Sequence, residues 1–343
     1  MEAVFNHQML ILARESRGIS QGQLADAINM SAANLCKIER ADIGIAPDKL
    51  ALIAAHTNYP LAFFYRPGSI VPENNIYRRR VVVAQKLLTP VHAQANIVRL
   101  QVQQLEQLLQ LPSWQWPTPS SKALSSATAL AGWLRSYWQV PQGPIGHLVQ
   151  LLESKGIAIA AYHFGTPRID SRSITTQLGR PIITINSSLP GCRQRFSIAY
   201  ELGLLLLQHY GMVSPTEDIG HHANLFAAAL LLPEADIKPA LTKGVNIALL
   251  AQLKPVWKTS MIALLYRADD LGILTHNQKR YLVQQFNVLN IRRTEPPEVA
   301  VPFEQPTLIK QWHADCKARH QLSTMALAHL LCIDLTEYLE YYT

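Results

Sequence analysis

Apolar positions along the first third of the chain recur at three- and four-residue steps, the spacing of helices that bury one face. A first run over 9–13 ends near Arg17-Gly18, where glycine suits a helix C-cap. Ser20 caps a short helix predicted over 21–28, with Gln23 at the third helical position as its capping-box partner. Asn29 stands where a tight turn calls for a left-handed residue, and Ser31 caps a further helix over 32–40. Leu24, Ala25, Ile28, Leu35 and Ile38 form the apolar interior of a helix-turn-helix, with shorter helices predicted at 48–55 and 61–64. From Leu88 the series Leu88, Val91, Ala95, Val98, Val102, Leu105, Leu109 makes a heptad-like seam. Such a seam suits either a second copy of the chain or packing within it. Prolines and tryptophans over 111–120 then break any helix.

The pattern changes further along. Helical spacing covers 123–138 and 145–155, and β-branched runs at 156–160 and 181–186 read as strands. A long apolar helix carrying one glutamate spans 193–209, a small-residue helix follows at 221–233, and 253–268 reads as helical. The last segments with helical spacing are 307–319, 323–331 and 335–342. Within them Ser323-x-x-x-Leu327-Ala328 faintly repeats Ser20-x-x-x-Leu24-Ala25, consistent with a degenerate second helix-turn-helix or with a helical packing or oligomerisation element. The expected fold is mainly α with a small β-sheet (α+β). It divides into a helix-turn-helix bundle at 1–66 and a basic connector with a long, possibly dimerising helix at 67–120. A body at 121–298 and a helical tail at 299–343 follow.

Composition narrows the class. In 343 residues, 48% are apolar and 16% charged, enough to fill two or three cores. The net charge of +7 suits a phosphate-bearing partner, although residues 1–110 hold eleven Lys/Arg against eight Asp/Glu and are only mildly basic. Cys36, Cys192, Cys316 and Cys332 form no C-x-x-C pair and read as reduced thiols. With no leading apolar segment and no apolar run of about 18 residues, a cytoplasmic protein without a membrane role is expected.

The order Ser20-Gln21…Leu24-Ala25…Ile28-Asn29-Met30-Ser31…Asn34-Leu35…Lys37-Ile38-Glu39-Arg40 resembles the phage-repressor (Cro/C1, XRE-like) DNA-binding domain. In a helix-turn-helix the start of the second helix enters the major groove. Ala32, Ala33 and Lys37 are therefore the expected base readers, the alanines toward thymine methyls and Lys37 toward guanine. Gln21, Ser31 and Asn34 are expected at the phosphates, and Arg78-Arg79-Arg80 reads either as a phosphate-contacting arm or as a solvated linker. Glu39 is expected in the fold, buried against the first helix or paired with Arg14. The partner implied is double-stranded DNA bound by a homodimer.

Over 193–209, Tyr200-Glu201-Leu202-Gly203-Leu204 has the outline of an H-E-x-x-H zinc-protease helix without its histidines. The order Gly179-Arg180-Pro181…Asn186, Arg195-Phe196-Ser197-Ile198-Ala199…Glu201-Leu202-Gly203, Ala223-Asn224…Phe226-Ala227-Ala228…Leu230-Leu231…Pro233 resembles the ImmA/IrrE-type zinc metallopeptidases. That resemblance implies a zincin-like domain whose first two zinc ligands fall at Tyr200 and Leu204, whose acidic ligand falls at His222, and whose general base is Glu201. Leu204 has no donor atom, so no cofactor, zinc included, is expected, and Tyr200 and Leu204 would plug the former zinc cavity. Another metal set would be His209, His221 and His222 with Glu217. The reading is a DNA-binding transcriptional regulator, a repressor, whose protease-like domain is inactive and senses a small-molecule or protein effector or dimerises. The other readings are an active metalloprotease that cleaves a repressor and an antitoxin-like or phage-derived interaction module.

Overall fold

Polar residues in extended backbone start many of the helices. Asn6, Ser20, Ser31, Ser126, Asn246, Ser260, Thr275 and Ser323 each accept a hydrogen bond from a backbone N–H of the following first turn. The computed structural model describes residues 4–72, 78–79 (backbone only), 83–292 and 294–342. Helices α1 (His7–Ser16), α2 (Gln21–Ala27), α3 (Ala32–Glu39) and α4 (Pro47–Thr57) and a 3-10 turn at Leu61–Tyr65 form the first bundle. The capping box of Ser20 and Gln23 is present, and Asn29 adopts φ 50° in the turn between α2 and α3. Leu24, Ala25, Ile28, Leu35 and Ile38 are all buried.

Strand β1 (Arg78–Arg79) and the 25-residue helix α5 (Gln85–Leu109) follow. Next come α6 (Ala127–Tyr137), α7 (Leu148–Ser154), β2 (Ala158–Tyr162), β3 (Ile169–Thr175) and β4 (Pro181–Asn186). The rest is helical: α8 (Gly191–His209), α9 (Ile219–Leu231), α10 (Glu234–Leu241), α11 (Ile247–Trp257), α12 (Met261–Asp270), α13 (His276–Val288), α14 (Leu308–His320), α15 (Thr324–Leu330) and α16 (Leu335–Tyr342). The fold is α+β, as the sequence implies. The run expected as one helix over 253–268 is two, because Lys258 turns left-handed at φ 51° and Ser260 caps α12.

The sheet runs β1-β3-β4-β2, with β4 antiparallel to β3 and parallel to β2. Both faces are covered. Ile159, Ile183 and Ile185 meet α8, whereas Ala158, Ile174 and Ile182 meet α5 and α14. Every residue of β4 is therefore buried, which accounts for isoleucines on both of its faces.

Helix α5 is the spine of the molecule. Its residues Ala93, Ile97 and Leu100 complete the core of the first bundle, Leu88 and Val91 pack with Phe164 and Ile169, and Val98, Val102, Leu105 and Leu109 pack with α14 and α15. The seam that suggested a dimerising helix is thus filled from within the chain. Two of its buried polar residues tie it to the surrounding chain: Asn96 both accepts from and donates to the backbone of Val71, and Glu106 accepts from Arg180 at 2.7 Å. A helix surrounded on every side is buried, which a sequence window of α5 alone does not reveal.

Helices α8 and α9 cross closely at Gly203. A Cβ built there would lie 2.6 Å from Cδ1 of the fully buried Phe226 ring, so only glycine fits without a shift. Gly203→Ala is expected to cost roughly 1–3 kcal/mol through overpacking, read as a lowered thermal midpoint. An unchanged midpoint would show that the α8–α9 crossing relaxes freely.

Candidate functional site

Two constellations follow from this scaffold. In the first bundle, Arg14 of α1, Gln21 of α2 and Glu39 of α3 meet at one buried carboxylate. The Arg14 guanidinium donates from Nε to Oε1 of Glu39 at 2.6 Å and from Nη2 to Oε2 at 3.0 Å. Gln21 Nε2 donates to the same Oε2 at 2.6 Å. Glu39 thus ties the three helices together, a fold residue paired with Arg14 as the sequence suggested. Gln21, expected at a phosphate, has its amide on this carboxylate. Lys49 Nζ reaches the carbonyl of Ile28 at 2.8 Å and holds the turn from below.

The outer side of α3 is open. Ser31, Ala32, Ala33, Asn34 and Lys37 are exposed, and Ser31 Oγ accepts from Asn34 N as the helix cap. The structure therefore brings the expected reading positions onto one solvent-facing surface. It separates them from the basic run: the backbone of Arg78 pairs opposite Ser171 and that of Arg79 opposite Ile169, at the edge of the sheet. Arg80 lies outside the described residues.

The second constellation surrounds Glu201 on α8. This residue is wholly buried, with Ser171 Oγ donating to Oε1 and Ser173 Oγ to Oε2, each at 2.7 Å. Both serines lie on β3, the strand that the sequence reading missed. Its inward positions are polar because they solvate a carboxylate, so no apolar alternation marks it. The local signal was a Ser-x-Ser pair between Pro167 and Gly179.

Tyr200 and Leu204 sit on a different side of α8, buried in the main core. The Tyr200 hydroxyl lies against Gly220 at the start of α9, 3.1 Å from where a Cβ would stand. His222 lies 3.7 Å from Glu217 on the surface, and His209 lies 6.0 Å from Trp116, ring centre to ring centre. These positions offer zinc one aliphatic side chain, one phenol and one surface imidazole, a donor set that does not fit the ion. Among the described residues no group of three His, Cys, Asp or Glu side chains is placed to hold a metal, the set at His209, His221 and His222 included.

Beside this centre, a cavity of about 820 Å³ opens between α8, α9, α12 and α13. Arg193 and Phe196 contribute to it from α8, on the face that carries Tyr200 one turn later. His221, Asn224, Tyr266 and Arg292 add polar groups to a partly apolar wall. Arg193 is also held by Asp170, donating from Nε at 2.8 Å. Phe196, Asn224 and Ala228 of the motifs noted in the sequence lie in its wall, but the cavity itself is formed only when four helices come together. Among the described residues no helix is long and apolar enough to cross a membrane.

Comparison with known families finds two separate matches. A family model described as helix-turn-helix matches residues 10–64, and one described as an IrrE N-terminal-like domain matches residues 152–269. No curated protein matches the chain. The two matches cover α1–α4 and the segment running from the end of α7 into α12, which contains Glu201. The chain joins an XRE-type helix-turn-helix domain to an IrrE/ImmA-like domain.

Proposed function

We propose that this chain is a sequence-specific DNA-binding transcriptional repressor in which the IrrE-like domain no longer hydrolyses peptides. The observation that carries the reading is the outer face of α3, where Ala32, Ala33, Asn34 and Lys37 are exposed on a motif braced from behind by Glu39. Apolar side chains and one lysine at the groove-facing positions match thymine methyls and the acceptor edge of guanine. The loss of catalysis follows from the chemistry of α8. Peptide hydrolysis by a zincin needs a metal-bound water beside the general base. Here Leu204 offers no donor, and Glu201 faces two serines of the sheet. The cavity along α8 gives the domain room for an effector, so it acts as a sensor. Dimerisation, which palindromic operators require, uses a surface other than the α5 seam.

A gel shift with the DNA upstream of its own coding region tests the reading. Affinity should fall steeply between about 50 and 200 mM salt, the mark of phosphate neutralisation. Absence of any shift would sink the repressor reading. Elemental analysis should find far less than one zinc per chain, and Glu201→Gln should leave DNA affinity unchanged. One zinc per chain, with a peptidase activity that Glu201→Gln removes, would establish the active protease instead.

A further inference from the structure

The last three helices reproduce the first three at one constant offset along the chain. Ser20 and Ser323 cap helices of 7 residues each, α2 and α15. Asn29 and Cys332 then take φ 50° and 55° at the same place after those helices. The backbone N–H of Met30 donates to Ala25 O at 2.9 Å, and that of Ile333 to Ala328 O at 3.0 Å. Ser31 and Asp334 next cap helices of 8 residues, α3 and α16, each accepting from the N–H three positions on.

The correspondence extends backward to α1 and α14. Gly18 and Gln321, at φ 68° and 51°, end them, and Ile19 N→Arg14 O is matched by Leu322 N→Lys317 O. Ala13/Cys316, Leu24/Leu327, Ala25/Ala328, Ile28/Leu331 and Leu35/Tyr338 are buried in both units. Shared dihedrals, caps, hydrogen bonds and core positions over three helices define one motif occurring twice.

The chemistry of the two outer faces is opposite. At the places of Ala32, Ala33, Asn34 and Lys37 the second unit has Leu335, Thr336, Glu337 and Glu340. Carboxylates at these positions repel phosphates. Besides α5 and the sheet, on which its core packs, the second unit touches the first. Glu337 pairs with Arg17, at the end of α1, at 2.6 Å. The buried Arg66 guanidinium donates to the carbonyl of Leu331 in the second unit's turn at 3.0 Å and to that of Leu100 on α5 at 2.5 Å. Cys332, the left-handed residue of that turn, packs into the core of the first bundle.

We propose that residues 308–342 are a second helix-turn-helix unit whose binding partner is the DNA-reading unit of the same chain and not DNA. With α14 on one side of α5 and α1 on another, the two units hold the spine between them, and the second fixes the stance of the reader on the body.

The test uses the full-length chain. Arg66→Met removes the link between the two carbonyls, and hydrogen exchange should quicken about tenfold in α1–α3 and in α15–α16 together. Glu337→Arg should quicken exchange in the same two segments by a smaller factor, and Arg17→Glu added to it should restore the native rate. Exchange unchanged in both single variants, or quickened in one unit only, would overturn the proposal. Glu340→Lys should leave the salt dependence of binding to upstream DNA unaltered. A dependence steeper by about one ion would place α16 on DNA and overturn it too. The exchange measurements decide the matter even if the chain binds no DNA, so failure of the repressor reading stays distinguishable.

Discussion

Glu39→Ala is expected to destabilise the first bundle more than any exposed substitution in it. The variant leaves the Arg14 guanidinium buried without its bidentate partner and strips Gln21 of its acceptor. Breaking a buried ion pair from one side costs roughly 3–5 kcal/mol. The lower end applies here, because Arg14 keeps the carbonyl of Ile19 at 3.0 Å and Glu15 at 3.3 Å. For a unit of this size each kcal/mol lowers the thermal midpoint by about 4–8 °C, so the loss is large on any melting curve. DNA binding should weaken with it, since α1, α2 and α3 lose their common anchor. Arg14→Met combined with Glu39→Leu should recover most of the stability, because well-packed apolar side chains replace a buried pair at little cost. A single variant that melts within about 1 °C of the native chain would show that the pair holds nothing together, given that conversion.

That carboxylate was legible in the sequence because the motif around it is local. Caps, a left-handed Asn29 and core positions at helical spacing lie within about one turn of one another, and each can be read from neighbouring residues. The seam of α5 was legible too, but its partner was not. Apolar spacing shows that a face is covered and leaves open by what, and here three separate clusters inside the chain do the covering. Strand β3 escaped for a different reason. Ser171 and Ser173 point inward because Glu201 needs donors, so the strand looks polar where a strand should look apolar. Helix α13 buries only Leu282 and Phe286 and reads as a polar segment. Its one sequence signal was the capping box of Thr275 and Gln278.

The site on α8 shows how a single buried carboxylate is held in an apolar helix. Glu201 takes hydrogen bonds from two serines of β3, which satisfies the buried carboxylate and ties α8 to the sheet. Tyr200 and Leu204, on the neighbouring side of the helix, belong to the main core.

The reader itself is tested most directly at Lys37. It lies in the last turn of α3, exposed, on the face shared with Ala33 and Asn34. If its ammonium meets a guanine edge, Lys37→Ala weakens specific binding by about 1–3 kcal/mol, on the order of 5- to 150-fold. The loss should concentrate on one base pair per half-site, seen by competition with operators altered one position at a time. Lys37→Glu should cost more, since a carboxylate in the groove also meets phosphate repulsion. A uniform loss across all operator variants would make Lys37 a phosphate contact, with the salt dependence shallower by about one ion. Unchanged affinity and preference in both variants would remove α3 as the reading helix. Lys37 is exposed and its nearest structural duty is to the last turn of α3, where a cation suits the helix C-terminus. That contribution is worth only about 0.3–1 kcal/mol, so a large change in binding belongs to the groove and not to the fold.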